Sequence, residues 1–313
     1  MSKRVLLIAG GGTLGTYTAK ELLSMGHKVD IICPEEKTSN DENLRFFRSM
    51  ATYEYLSELL EKEHYDGIVN FVHYPDIEEY KPVHKLLTDN TEHLIFLSSY
   101  RVYADLEHPI TEDAPRLLDV STDEKFLAEE TYALSKAKAE DFIRASGTKN
   151  WTIVRPVISF SDRRFDIVTV NERVVLERVK EGRELILPEN VRNLTAALDW
   201  AGNSGKLIAS LLFKDAALGE AFTVSSAQNL TWGEVADIYT ELIGLKVRWI
   251  DPDEWLKHEE YVMNNRFAAI YDRFFDRSID NSKILSVTGL TNDDFLSIKD
   301  GIGIELAKIN WEK

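Results

Sequence analysis

The chain has 313 residues, 37 of them Lys or Arg and 53 Asp or Glu, for a formal net charge of −16. Such an acidic balance excludes a general nucleic-acid binder, which needs a basic face to displace counterions, but leaves room for a local basic pocket around a phosphorylated small molecule. The single cysteine, Cys33, excludes an intramolecular disulfide and a cysteine-built zinc site.

The apolar run after Met1–Arg4 is too short for a signal segment, and no stretch approaches the roughly 18 apolar residues of a membrane span. The seven histidines show no metal-ligand spacing. The expectation is a soluble cytoplasmic chain with no metal site, no membrane contact and no nucleic-acid partner. The runs Val5–Ile8, Val29–Ile32, Gly67–Val72, His93–Leu97 and Trp151–Val154 are nearly continuous in apolar character, as strands covered on both faces are. The segments between them are long enough for crossover helices, which predicts an α/β fold with a doubly wound, mostly parallel, Rossmann-like sheet. Further on, Phe165–Glu181 and Lys206–Phe213 predict helices and Ala221–Val224 a strand. Thr231-Trp232-Gly233-Glu234 reads as a capping box opening a helix to Ile243, and Pro252 stands at the first position of another. The last 60 residues are rich in aromatics and charge and give no clear period.

Val5–Ile8 runs into Ala9-Gly10-Gly11-Gly12-Thr13-Leu14-Gly15, and a helical pattern follows through Leu23. Gly12 and Gly15 fill the second and third slots of a G-x-x-G-x-x-G turn, with Ala9 in the first. Such a turn brings backbone close to a pyrophosphate, where a Cβ would block the approach. The next helix then offers unpaired N–H groups and the positive end of its dipole. The cofactor implied is NAD or NADP. An acid commonly stands at the end of the second strand to accept the ribose hydroxyls. Counting along Gly26–Cys33, that place belongs to Cys33, with Asp30 inside the strand and Glu35 and Glu36 just past it. No arginine follows to hold a 2′-phosphate, and Lys37 is the nearest base. Weak discrimination with a slight lean to NADP is the expectation.

Tyr132-Ala133-Leu134-Ser135-Lys136 lies in a helical stretch running roughly over 125–146, which puts Tyr132 and Lys136 on one face. Upstream, His93–Leu97 ends in Ser98-Ser99-Tyr100-Arg101-Val102-Tyr103, and hydroxyls at the carboxyl end of a parallel strand lie where such folds bind ligands. A tyrosine acts as a general base only if its pKa of about 10 falls by about three units, or about 4 kcal/mol. A lysine charge about 4 Å away, at an effective dielectric near 20, supplies about that much. A serine hydroxyl then holds the reacting oxygen.

Taken together, the Ala9–Gly15 turn, Ser98-Ser99-x-x-Val102-Tyr103, Tyr132-x-x-x-Lys136 and Trp151-Thr-Ile-Val-Arg155-Pro156 resemble the extended short-chain dehydrogenase/reductase family, in its NAD-dependent nucleotide-sugar epimerase/dehydratase branch. The stretches Leu218–Val224 and Leu230–Glu234 continue the likeness, which runs from about residue 3 to 245. The resemblance implies catalytic roles for Ser99, Tyr132 and Lys136. It places the cofactor against Gly10, Gly12, Thr13, Leu14, Gly15, Cys33, Ser49, Met50, Phe71, Ser98 and Pro156. It also implies a dinucleotide-binding domain over 1–160, with a return strand near 201–226, and a smaller substrate-binding domain from 161–200 and 227–313. A homodimer follows from the resemblance alone. Tyr100 and Arg101 stand where the dehydratase members carry an Asp-Glu pair, so sugar 4,6-dehydration is not expected.

Arg163, Arg164, Arg173, Arg178 and Arg183 concentrate positive charge in an acidic chain. Arg163 and Arg164, in the loop after a strand, are candidate substrate contacts, since a guanidinium fork suits phosphate oxygens; Tyr100 and Arg101, beside Ser99, are the others. Arg173 and Arg178 read as a solvated helix face. The function the resemblance implies is an NAD(P)-dependent oxidoreductase or epimerase acting at a carbinol carbon of a nucleotide-linked sugar by Ser-Tyr-Lys chemistry. A ketone or aldehyde reductase of the same family, or a catalytically silent NAD(P)-binding regulator, are the alternatives.

Overall fold

The computed structural model describes residues 2–258, 262 and 266–309. Its first half alternates β1 (Arg4–Ile8), α1 (Thr13–Ser24), β2 (Lys28–Cys33), β3 (Leu44–Arg48), α2 (Tyr53–Lys62), β4 (Gly67–Asn70), α3 (Ile77–Asp89) and β5 (His93–Leu97). Then come α4 (Leu117–Val120), α5 (Glu124–Glu129), α6 (Tyr132–Ala145), β6 (Trp151–Pro156) and β7 (Ile158–Phe160). The remainder holds α7 (Glu172–Lys180), β8 (Glu184–Pro188), β9 (Leu198–Trp200), α8 (Ala201–Leu211), β10 (Glu220–Val224), α9 (Trp232–Ile243), β11 (Lys246–Ile250), α10 (Pro252–Trp255), α11 (Ser282–Thr288) and α12 (Ile298–Lys308).

Seven strands form one sheet in the order β10-β6-β5-β4-β1-β2-β3, every pair parallel. The chain winds outward from β1 in both directions, so a crevice opens at the carboxyl ends of β1 and β4, where connections leave to opposite faces. The five strands expected from continuous apolar runs are all present, with β10 added at the edge. Both faces of β1 are covered: Leu6 and Ile8 pack with α2 and α3 residues, Val5 and Leu7 with α1 and α8 residues. β3 was not legible in the sequence. It is a half-exposed edge strand whose Arg45 leaves the sheet to bind Asp30, the acid inside β2.

Two expected helices are shorter than their sequence pattern. The stretch 125–146 breaks at Glu130 and Thr131, because the Glu130 carboxylate accepts from the N–H groups of Tyr132 (2.8 Å) and Ala133 (2.9 Å) and starts α6 afresh. Tyr132 therefore occupies the first turn of α6. Phe165–Glu181 is helical only over α7; Phe165, Ile167, Val168 and Val170 are the buried residues of an irregular loop. The capping box at Thr231 and Glu234 forms as expected, and α9 ends at Gly244 in the left-handed conformation.

Two polar knots fix the sheet to its covering layers. Arg155 on β6 binds the Glu140 carboxylate through Nε (2.9 Å) and Nη2 (2.6 Å) and also donates to the Tyr103 hydroxyl (2.8 Å), all of it buried. In the second, the fully buried Glu305 of α12 accepts from the Tyr17 hydroxyl of α1, from Trp200 Nε1 (2.7 Å) and from the N–H of Asp162 (2.8 Å). Among the described residues no helix is long and apolar enough to cross a membrane, and no His, Cys, Asp and Glu side chains gather as a metal cluster.

Candidate active site

The turn between β1 and α1 is made by close backbone packing. A Cβ on Gly15 would stand 2.3 Å from the Gly10 carbonyl oxygen, so only glycine lets α1 start this near the turn. Gly10 itself is buried under the turn: its N–H donates to Ile32 O (3.2 Å), and a Cβ there would meet Leu7. It shapes the turn and does not line the cavity. Gly12 has nothing within 4 Å of its missing Cβ and faces the open cleft. Ala9, where the motif has its first glycine, takes φ 56°, a left-handed conformation that costs an alanine strain.

Two cavities meet at this turn, both touching Ala9 and Phe71. One, of about 400 Å³, is lined by Cys33, Ser49, Met50 and Val72 among others, and is chiefly apolar. The second, of about 510 Å³, runs past Gly12, Thr13, Leu14 and Gly15 to Ser98, Ser99, Tyr132 and Pro156. An open glycine, a helix N-terminus and an apolar side pocket in this order fit a dinucleotide with its pyrophosphate at α1.

The carboxylate missing at the end of β2 is present nearby. Glu35 folds back so that a Cβ on Gly11 would stand 2.9 Å from its Oε2 and 2.7 Å from Cys33 Cβ. Its own backbone N–H, with smaller contributions from Lys37 and Arg163, holds the exposed Glu35 carboxyl below the ordinary range. Lys37 Nζ (2.7 Å) and Arg163 Nη1 (3.2 Å) both donate to the Gly11 carbonyl. Arg163, expected against the substrate, is thus tied to the turn and is not among the residues that line the larger cavity. Glu35 lies two residues beyond the end of β2, outside the place that counting to the strand end gives.

Ser99 ends the β5 connection and accepts at Oγ from the N–H of Arg101 (3.2 Å), which fixes the short turn over 100–102. Ser99 and Tyr132 line the same cavity. Ser98 lines it too, but its hydroxyl donates to Glu140 Oε1 (2.5 Å) and so ties the strand end to α6. Lys136 is buried beneath them. Its Nζ donates to Leu97 O (2.5 Å) and Val72 O (3.4 Å), and burial pulls its pKa down to about 7. The Tyr132 ring is packed by the His73 ring at 4.9 Å and by the Arg101 guanidinium at 5.1 Å. His73 Nε2 pairs with Ser135 Oγ (2.8 Å), and that hydroxyl donates back to Tyr132 O (3.0 Å). One hydroxyl has one proton, so Nε2 carries a hydrogen and is the donor in this pair.

Arg101, Arg164 and Arg273 also line the larger cavity. Arg273 comes from a segment that gave no sequence signal, a helical turn at Arg266–Ala268 leading into a π-helical turn at Ala269–Arg273. It donates to Val168 O (2.8 Å) and to the Tyr100 hydroxyl (2.8 Å), which itself donates to Asp272 (2.8 Å). Of the residues expected to contact substrate, Tyr100, Arg101 and Arg164 are brought together and Arg163 is not.

Residues 6–201 match the NAD dependent epimerase/dehydratase family. A local match at 30% identity over 98 residues, covering 30% of this chain and 30% of the relative, is to a UDP-glucose 4-epimerase of Lacticaseibacillus casei. Among solved structures, the Bordetella bronchiseptica enzyme WbmG in complex with NAD is similar with a TM-score of 0.70 at 17% identity, covering 99% of this chain and 94% of that one. The same enzyme with NAD and UDP gives 0.69 at 17% identity over the same shares. The Thermus thermophilus UDP-glucose 4-epimerase complex with NAD gives 0.68 at 17% identity, covering 99% and 100%. At these identities the structures establish the fold.

Proposed function

The chain belongs to the NAD-dependent epimerase/dehydratase family, and on that premise we propose that it epimerises a carbinol carbon of a nucleotide-linked sugar by way of the ketone. The observation that carries this reading is the shared cavity, walled on one side by the open glycine turn and on the other by Ser99 and Tyr132. The WbmG complex that holds NAD with UDP, and the local match to a UDP-glucose 4-epimerase, support the nucleotide-sugar part.

The N–H groups at the start of α1 face the pyrophosphate across Gly12, Thr13 and Leu14. Glu35 accepts the adenosine ribose hydroxyls in place of the absent strand-end acid, which favours NAD over NADP. Cys33, Ser49, Met50 and Phe71 pack the adenine, and Ser98 and Pro156 border the nicotinamide end. NAD, when bound, supplies the acceptor and donor of hydride. Tyr132 removes the carbinol proton and returns it, Ser99 Oγ holds the reacting oxygen, and Lys136 in its protonated form stabilises the tyrosinate.

The test is incubation of the NAD-loaded protein with a panel of nucleotide sugars, followed by NMR. A second set of sugar ring signals, matching the epimer of one panel member, is the expected result. Failure of every member to bind or turn over would overturn the reading.

A further inference from the structure

The larger cavity is lined by three guanidinium groups and, among the described residues, by no carboxylate. In a chain of net charge −16 that is a local inversion of sign. The acids that hold these arginines stand behind them. Asp272, fully buried, is shared by Arg101 (3.6 Å), Arg273 and Arg277 (3.3 Å) and also accepts from Tyr100. Glu130 lies 3.7 Å from Arg101, but its Oε1 is spent on the first N–H groups of α6. One shared carboxylate and one engaged one leave the cavity face of this cluster cationic.

The three arginines are graded by depth. The Arg164 side chain is 44% exposed, at the mouth, and is paired with Asp166 (2.5 Å). Arg101 and Arg273 are 15% and 8% exposed, at the catalytic end. Arg101 is the least satisfied of them. Its buried Nε faces Asp272 at 3.6 Å and its Nη2 faces Glu130 at 3.7 Å, both beyond hydrogen-bond distance. It is also placed rigidly, through the Ser99 cap on its N–H and the face of the Tyr132 ring. A guanidinium that lines the cavity while both its acid partners stand beyond hydrogen-bond distance, held against Ser99 and the Tyr132 ring, keeps charge for an anion that enters with the sugar. A diphosphate seated there would occupy the space the carbinol needs beside Ser99 and Tyr132, whereas the rim position of Arg164 suits a diphosphate leading out to its nucleoside.

We propose that the sugar ring acted on carries a carboxylate, as a uronate does, and that Arg101 is the residue that recognises it. This rests on the nucleotide-sugar reading above. The experiment measures dissociation constants of UDP, UDP-glucose and UDP-glucuronate for the NAD-loaded protein, as wild type, Arg101→Gln and Arg101→Lys. Wild type is expected to bind the uronate about tenfold or more tighter than the hexose, the worth of one charge-assisted contact. That gap closes in Arg101→Gln and is partly restored in Arg101→Lys, while affinity for UDP changes less than about threefold, as the loss of a contact UDP does not make requires. Retained NAD and an unchanged circular dichroism spectrum establish that each variant is folded. No preference for the uronate in wild type overturns the proposal. Equal weakening of all three ligands in Arg101→Gln overturns it as well, by giving Arg101 to the diphosphate. Either result leaves the nucleotide-sugar reading standing; that reading falls, and this one with it, if none of the three binds.

Discussion

The cleft has two walls made of different material. The cofactor wall is backbone: the turn Ala9–Gly15, whose missing side chains make the space, backed by buried aliphatic strands. The facing wall is side chain: Ser99, Arg101, Tyr132, Arg164 and Arg273, brought from well-separated parts of the chain and pinned by shared acids. A backbone wall recognises a shape common to many ligands and tolerates change elsewhere in the chain. A side-chain wall can discriminate, but each member depends on partners behind it, so its specificity is written in residues that never touch the ligand.

The largest test of that division is Tyr132→Phe. Turnover should fall by about 10²–10⁴, the range for a lost general base, while the NAD dissociation constant stays within about twofold, since the backbone wall is untouched. Parallel loss of NAD binding would join the walls into one unit. Next comes the knot that ties α6 to β6 and, through Ser98, to the end of β5. Arg155→Met leaves buried Glu140 with only the more distant Arg116 (3.7 Å) and should destabilise by about 3 kcal/mol in urea titration, an effect far above that of the exposed pair Arg173–Glu177. The side chain proposed to accept the ribose hydroxyls is Glu35, and Glu35→Gln should cost NAD about 1.5–3 kcal/mol relative to NADP. An unchanged ratio of dissociation constants would place the ribose elsewhere.

Lys136 sharpens the comparison through pH. Its pKa is lowered to about 7 in the folded chain from an ordinary value of 10.5. Between those values the unfolded chain holds a proton that the folded chain does not, so stability rises with pH by up to about 1.4 kcal/mol per unit from this group. The burial penalty is fully present below pH 7 and gone above about pH 10.5. Lys136→Met removes that slope: relative to the variant, wild type should gain stability from about pH 7 to about pH 10, read from paired thermal melts. Parallel curves would mean that the lysine stays charged. The smallest effect belongs to Ala9→Gly, which relieves a positive φ at the head of the turn and should stabilise by about 1 kcal/mol or less.

The sheet was legible because its strands are covered on both faces, and a run such as Val5–Ile8 or His93–Leu97 needs no partner to announce itself. β3 was not, since Arg45 and Arg48 on an edge strand satisfy water and Asp30 rather than a core. The break before Tyr132 was hidden because Glu130 caps from inside what reads as a continuous helical pattern. Ser99, Tyr132 and the glycine turn showed themselves through local spacing. Arg273, Asp272 and Arg277 did not, because a charged side chain buried by distant neighbours leaves no period in its own segment. The return of Glu35 toward Gly11 was not legible either, since a strand-end rule says nothing about a chain that folds back two residues later.

The Glu305 knot has a consequence for how the protein is made. Tyr17, on the helix that follows the glycine turn, donates its hydroxyl hydrogen to a carboxylate 288 residues further along the chain. Trp200, which also donates to that carboxylate, packs its ring on Tyr17 at 5.4 Å. While the chain is still on the ribosome, the outer face of α1 therefore waits with an aromatic ring and a polar group uncovered, long after β1, β2 and β4 have been delivered. Contacts of such sequence separation close late and leave the early half exposed to mispairing in the meantime. The glycine turn is thus begun at β1 and braced by a carboxylate 288 residues beyond Tyr17.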